Sequence, residues 1–512
     1  MRNTRRALTV VACLAAASLC LSGCVYASIP AQAPPASESA PDVTGVDPTL
    51  LSYYSQRVEW ESCATGFDCA KVTVPLDYGD SSKGDIELAI TRSRATNGDA
   101  LGSLLVNPGG PGASGVSFVQ ENLSGAVGSD LEAAYDVVGF DPRGVGESTA
   151  VRCYDTAEMD EYLFGIPQAQ RGTDAWTAEV DAANRAFAEA CDQNSDGILP
   201  YITTENAARD LDVLRGVLGD AKLTYLGYSY GTFLGATYAG LFPQRVGRLV
   251  LDGAVDPTIS GLDLGTTQAI GFESALRAYL ASCLETEECP FRGTVDDAIS
   301  DVQSLLATVD RDPIEASDGR MLGGSNLMSA IVTPLYAEQN WPALTEMFTE
   351  VLEGSAEFAF YLVDLYSDRE DGEYLSNSTE AFRAYNCMDY PLVDDQAQLD
   401  AASALLEEKA PTFAPYWDGP DPCEQWLYTA TGTREPIAAE GAAPILVVGT
   451  TNDPATPYEW SVALAEQLSS GVLITRVGEG HTGYNKGNDC VDSAVEAYFL
   501  DDVVPDGDLR CE

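Results

Sequence analysis

Residues 223–239 read Leu-Thr-Tyr-Leu-Gly-Tyr-Ser-Tyr-Gly-Thr-Phe-Leu-Gly-Ala-Thr-Tyr-Ala. Strand-forming residues at 223–226 run into Gly227-Tyr228-Ser229-Tyr230-Gly231, and helix-permissive residues follow. A G-x-S-x-G pentapeptide is short enough to occur by chance, but a strand before it and a helix after it give it a physical meaning. The turn must be so tight that a Cβ at Gly227 or Gly231 would strike the backbone. That geometry lifts Ser229 Oγ above a sheet and leaves the Tyr230 N–H at a helix N-terminus, where it can face developing negative charge.

A serine hydroxyl attacks a carbonyl only when a base takes its proton. Histidine is the usual base because it titrates near neutrality. The chain holds one histidine, His481, in Gly478-Glu479-Gly480-His481-Thr482-Gly483-Tyr484, just after an apolar strand pattern at 472–477. An imidazole in turn needs a carboxylate to fix its tautomer. Asp453 offers one in the loop after the strand pattern at 444–448. The chain order Ser229, Asp453, His481 is the one expected of a serine on a strand-to-helix bend. Asp252 and Asp256, after the strand at 248–251, are rival acids, disfavoured because an inserted segment begins there. Thr456 and Glu459 around Pro457 have the spacing of a helix capping box. An oxyanion hole needs two backbone donors. Tyr230 N–H is one, and the other is expected from Asn107-Pro108-Gly109-Gly110-Pro111-Gly112, with Gly110 chosen over Gly109. Arg143, in the turn at 141–148, reads as a brace beneath the site.

Outward from this constellation, strands alternate with helices. Strand patterns fall at 72–78, 86–92, 104–106 and 135–140, and an amphipathic helix at 206–218 leads into the Ser229 strand. The alternation predicts an α/β fold with a mostly parallel sheet covered by helices on both faces. A cysteine couple staples a helical excursion at 153–191. Residues 258–441 interrupt the alternation, are helical in pattern, and read as a cap or lid inserted over the carboxyl ends of the strands. The core is therefore expected in two parts, 50–257 and 442–512.

The N-terminus reads as a targeting segment. Arg2, Arg5 and Arg6 precede an apolar stretch at 7–21, too short to span a bilayer comfortably, so residues 1–23 read as an export signal. Leu21-Ser22-Gly23-Cys24 resembles the lipobox of bacterial lipoproteins, which implies cleavage before Cys24 and lipid on that cysteine. Cleavage after Ala27 is the alternative and would free the protein. Residues 24–49 are rich in Pro, Ala and Ser and read as a flexible tether. Of 13 cysteines, ten remain beyond residue 24. They lie in sequence-adjacent couples, giving expected disulfides Cys63–Cys69, Cys153–Cys191, Cys283–Cys289, Cys387–Cys423 and Cys490–Cys511. With one histidine and no C-x-x-C pair, no metal site is expected. Asp and Glu number 79 against 28 Lys and Arg, for a net charge of -51. Such a surface repels nucleic acid and anionic headgroups, so the N-terminal lipid is the only expected link to a membrane.

Taken together, the stretches 107–115, 141–148 and 227–232, the run Leu251-Asp252-Gly253-Ala254-Val255-Asp256-Pro257, and the loops carrying Asp453 and His481 resemble the secreted tripeptidyl aminopeptidases of actinomycetes. These are α/β-hydrolases related to proline iminopeptidase. The resemblance spans roughly residues 58–511 and includes Cys387 with Asp389 in the cap. It implies release of short peptides, commonly tripeptides, from free N-termini, with no cofactor. Pro108 departs from the histidine of the iminopeptidase relatives, which argues against proline-only specificity. An exopeptidase must hold the substrate's α-ammonium, and Asp389 is the candidate, with an ordinary exposed carboxylate as the alternative. A monomer is expected. A carboxylesterase or lipase using the same triad is the alternative function, and a non-catalytic binding lipoprotein a third.

Overall fold

The computed structural model describes residues 40–512. The expected signal at 1–23, Cys24 and most of the expected tether lie outside the described residues. A ten-stranded sheet organises the chain: Glu61–Ser62 (β1), Phe67–Pro75 (β2), Asp85–Ser93 (β3), Ser103–Asn107 (β4), Asp136–Phe140 (β5), Leu223–Tyr228 (β6), Val246–Asp252 (β7), Ile445–Asn452 (β8), Gly471–Glu479 (β9) and Leu509–Cys511 (β10). Their order in space is β1-β2-β3-β5-β4-β6-β7-β8-β9-β10. In that order each strand from β5 to β10 runs parallel to the next, while β1, β2 and β3 form an antiparallel edge that joins β5 antiparallel through β3.

The central strands are apolar on both faces, as helix-covered parallel strands must be. Side chains alternate between two cores with the period of two that a pleated strand imposes. Leu105, Tyr225, Leu251 and Val447 join Leu211, Leu214, Leu234 and Tyr238 of the Thr204–Val217 and Tyr230–Leu241 helices. Leu104, Leu226, Val250 and Leu446 join Val119 and Phe499 of the Gly115–Glu121 and Asp489–Asp501 helices on the opposite face.

The chain passes from β4 to β5 on one side and then to β6 on the other. Such a reversal opens a crevice at the carboxyl ends of the diverging strands. Register places Asn107 beside Gly227 and Tyr228 beside Asp252. The loops leaving β4, β6 and β7 therefore meet at one level.

Between β7 and β8 the chain is mostly helical. Gly261–Cys283, Val295–Arg311, Gly324–Leu335, Trp341–Leu352 and Glu357–Tyr366 enclose their own core around Leu276, Val302, Ile331 and Phe348. The Ser378–Asp389 helix behaves differently, burying Ala384, Tyr385 and Met388 in the core shared with the sheet. Disulfides join Cys63–Cys69, Cys153–Cys191, Cys283–Cys289, Cys387–Cys423 and Cys490–Cys511, with Cα separations of 3.9 to 5.7 Å. Five disulfides fit an oxidising, extracytoplasmic compartment. Among the described residues, no helix is long and apolar enough to cross a membrane.

One boundary differs from expectation. The tether was expected to reach residue 49, yet Asp42 already donates its N–H to Gly216 C=O at 2.8 Å and pairs its carboxylate with Arg215 at 2.9 Å. The Arg245 guanidinium donates to Thr44 C=O. Arg215 is fully buried, and a buried cation needs opposing charge. Asp42 helps Asp212 supply it, so the ordered body begins before the point where apolar periodicity becomes visible.

Candidate active site

Ser229 stands between β6 and the Tyr230–Leu241 helix at φ 54°, ψ −126°. Positive φ is costly for any residue with a side chain and persists only where the surroundings enforce it. Here they do. Ser229 N–H donates to Asp252 C=O at 2.9 Å, and Ser229 C=O accepts from Thr232 N–H and Oγ1. A Cβ on Gly227 would lie 2.4 Å from Gly231 O, and one on Gly231 2.7 Å from Asn107 Oδ1. The bend exists because these two positions carry no side chain.

The loop after β4 closes on the serine. A Cβ on Gly109 would lie 2.6 Å from Tyr228 O and 2.8 Å from Ser229 Cβ. Gly109 N–H donates to Asn107 Oδ1 at 3.0 Å. Among the described residues, Gly110 N–H has no protein acceptor. The two glycines thus differ: Gly109 permits close approach to the serine, while Gly110 N–H is left unengaged among the described residues. Tyr230 N–H, in the first turn of its helix, is the other open donor.

His481 and Asp453 meet from the loops after β9 and β8. Nδ1 of His481 lies 2.9 Å from both carboxylate oxygens of Asp453. A carboxylate only accepts, so Nδ1 carries the proton and Nε2 keeps its lone pair. The buried Asp453 carboxylate also accepts from the N–H groups of Ala455, Thr456 and Thr482 and from Thr456 Oγ1, at 2.9 to 3.1 Å. Its orientation is therefore fixed. The imidazole sits beside the bend: a Cβ on Gly253, the residue after the one holding Ser229 N–H, would lie 3.1 Å from His481 Cε1. Among the described residues, no hydrogen bond joins Ser229 Oγ to the imidazole, as is common before substrate binds.

The rival acids are engaged elsewhere. Asp252 accepts from Gly483 N–H and Tyr484 N–H at 2.8 Å each, and burial pushes its pKa up to about 6. Asp256 accepts from Thr258 and from Gln467 Nε2. Arg143 is buried, forks onto Asp210 through Nε and Nη2 at 2.7 Å each, and donates to the carbonyls of Leu76 and Pro75. It ties the 141–148 turn to neighbouring segments.

Two expectations need correction. Thr456 does not cap a helix: Pro457 occupies the cap position without a side-chain bond, and Thr456 Oγ1 turns inward to Asp453 and to within 3.2 Å of His481 Nδ1. Asp389 is not an open carboxylate awaiting an ammonium. It is 3% exposed and accepts from Thr204 N–H at 2.9 Å and Thr204 Oγ1 at 2.6 Å. Thr204 Oγ1 bonds in turn to the Tyr230 hydroxyl, so Asp389 braces the residue after Ser229. Burial pushes its pKa up to about 6, and it holds the amino end of the Thr204–Val217 helix.

Tyr336 was not legible in the sequence. Its C=O accepts His481 N–H at 2.7 Å, and its ring meets the imidazole edge-on with centroids 5.6 Å apart. Nothing in the local sequence around Tyr336 marks a contact made 145 positions away. A cavity of about 380 Å³ opens beside His481, lined also by Tyr336, Glu338, Arg476 and Lys486.

Residues 410–511 match the family model described as TAP-like protein. The chain is 36% identical over 530 residues to the serine protease Hip1 of Mycobacterium tuberculosis, covering 99% of this chain and 98% of that one. It is 37% identical over 506 residues to carboxylesterase B of the same organism, covering 96% of each. It is 32% identical over 473 residues to the tripeptidyl aminopeptidase of Streptomyces coelicolor, covering 89% of this chain and 86% of that one. The ten-stranded sheet, the serine on its strained bend and these full-length likenesses place the chain in the TAP-like family of α/β-hydrolases, as a serine hydrolase.

Proposed function

We propose that this enzyme is a serine peptidase that releases short peptides, tripeptides foremost, from free N-termini. Ser229 is the nucleophile, His481 the base, Asp453 the orienting acid. The observation that carries this reading is the imidazole held through Nδ1 at 2.9 Å from both Asp453 oxygens, beside the bend that bears Ser229. With Nδ1 protonated, Nε2 takes the Ser229 proton as Oγ adds to the scissile carbonyl. Negative charge gathers on the carbonyl oxygen, facing the N–H groups of Tyr230 and Gly110. Each such donor is worth roughly 10²- to 10³-fold in kcat. The protonated imidazole, stabilised by Asp453, then gives its proton to the leaving amine, and the C–N bond breaks. Water, deprotonated by the same Nε2, hydrolyses the acyl-enzyme and restores Ser229.

Release of tripeptides is supported by the relative named tripeptidyl aminopeptidase. The relative named carboxylesterase B supports a second reading, ester hydrolysis by the same residues. We place the enzyme outside the cytoplasm, acting as a monomer and anchored through lipid on Cys24.

A library of unblocked and N-acetylated peptides, digested and read by mass spectrometry beside nitrophenyl esters, separates the readings. Tripeptides should accumulate from unblocked peptides alone. Equal cleavage of acetylated peptides would remove the aminopeptidase assignment, and turnover of esters without peptides would favour the esterase.

A further inference from the structure

The two donors of the proposed oxyanion hole sit beyond the strands that carry them. Register fixes Asn107 of β4 beside Gly227 of β6, and the ladder between the two strands stops there. Gly110 and Tyr230 lie three residues further along each chain, where no sheet hydrogen bond sets the distance between them. A two-donor hole works only when both N–H groups keep their places to within about 0.5 Å.

One helix touches both sides of that gap. At the carboxyl end of the Ser378–Asp389 helix, Asp389 accepts from Thr204 Oγ1 at 2.6 Å and from Thr204 N–H at 2.9 Å. A carboxylate only accepts, so the one hydroxyl proton of Thr204 goes to Asp389, and the Tyr230 hydroxyl donates to Thr204 Oγ1. The ring of Tyr385, on the same helix, lies 5.7 Å from that of Tyr230. At the amino end, Gly112 is pressed against the helix. A Cβ on Gly112 would lie 2.7 Å from Ser378 O, 2.9 Å from Phe382 N and 3.1 Å from Ala381 Cβ. Gly112 shares a turn with Gly110, on which a Cβ would lie 2.9 Å from Gly112 N.

The helix is itself anchored at each end. Met388 C=O accepts the N–H groups of Thr431 and Gly432 at 2.9 and 3.0 Å. Asn377, just before the first turn, accepts Gly146 N–H and donates to the carbonyls of Gly144 and Val151, at 2.8 Å each. Joining Asp389 to the Thr204–Val217 helix would need only the Thr204 N–H. The hydroxyl relay goes further and ends on the residue after Ser229.

We propose that the Ser378–Asp389 helix sets the spacing of the oxyanion hole, with Thr204 the positioning residue for Tyr230 and Ala381 the positioning residue for the Gly110 turn. The inference rests on the oxyanion donors of the reading above, and it holds whether a peptide or an ester is cleaved.

The test is a double-variant cycle on Tyr230→Phe and Thr204→Val, assayed on an unblocked tripeptidyl-nitroanilide and on nitrophenyl acetate. Tyr230→Phe keeps the ring and the backbone N–H and removes only the hydroxyl. Each single variant should lower kcat roughly 10- to 100-fold with KM little changed, the loss expected when a catalytic group is slightly misplaced. The double variant should lose no more than the worse single variant, because both break one relay. Thr204→Ser, which keeps the hydroxyl, should restore kcat. Phenylboronic acid, whose boron becomes tetrahedral on Ser229 Oγ, should inhibit the variants more weakly by a similar factor. Ala381→Val, which crowds Gly112 at the other end, should lower kcat in the same way. Wild-type kcat in Tyr230→Phe or in Ala381→Val overturns the proposal. So does a loss confined to KM, losses that add in the double variant, or boronate inhibition at wild-type strength. If Thr204→Val does not fold, Tyr230→Phe and its boronate inhibition decide the matter. If the wild type cleaves only nitrophenyl acetate, the peptidase reading fails, and the same cycle on the ester still decides the role of the helix.

Discussion

Asp252 links the bend at Ser229 to the loop that carries His481. Its backbone carbonyl holds Ser229 N–H, and its carboxylate holds the N–H groups of Gly483 and Tyr484, two and three residues beyond His481. Nucleophile and base are thereby referred to one buried residue. Asp252→Asn turns an amide NH₂ toward backbone N–H groups that need an acceptor. The expected result is a kcat lowered roughly 10- to 100-fold with KM little changed, as for other groups that position catalytic side chains. A rise in KM at constant kcat would show that Asp252 does not position the reacting groups. The bend at Ser229 and the pairing of Asp453 with His481 were legible because each residue stands in a loop directly after a strand pattern, and because His481 has no rival histidine. Thr456 was misread because its spacing to Glu459 satisfies a local rule, while its hydroxyl donates to Asp453 instead and approaches His481, which local spacing does not show. Asp389 was read as open because a sequence shows charge but not the threonine that will cover it.

The bend at Ser229 and the loop after β4 act together as a single built element. Gly109 has φ +102° and no room for a Cβ against Tyr228 O and Ser229 Cβ. Gly109→Ala must therefore push the loop, and with it Gly110 N–H, away from the serine. We expect kcat to fall by about 10²- to 10³-fold, the loss seen when one oxyanion donor is removed, with fluorophosphonate labelling slowed in parallel. Labelling at the wild-type rate would mean that this loop does not shape the site. At this scale the central strands were readable as near-continuous apolar runs bounded by turns. β1 and β10, of two and three residues, are too short to carry a period. The Ser378–Asp389 helix lies in a stretch read only as helical in pattern, and that pattern could not say which of two cores it would join.

The whole molecule carries far more acid than base, and burial divides its carboxyls into two classes. Asp220, Asp252 and Asp389 are pushed up to about 6, and Glu380 to about 7, chiefly by desolvation. Each binds a proton more readily folded than unfolded, so its contribution to stability is present at low pH and lost as pH rises through 6 to 7. Asp77, held down by the Lys83 ammonium, and Asp297, held down by Thr294 N–H, have the opposite sign. Their contribution is lost as pH falls below about 4. Acidification also relieves repulsion among surface carboxylates. Calorimetry should therefore find Tm rising by a few degrees from pH 8 to about pH 5, then falling below about pH 4. A Tm that is flat or falls from pH 8 to pH 5 would contradict that division. The account as a whole depends on one imidazole acting as base for one serine. Its most direct test is kcat/KM of His481→Ala on an unblocked tripeptidyl-nitroanilide, with folding confirmed. A loss of about 10⁴-fold or more is expected, and turnover within about tenfold of wild type would contradict it.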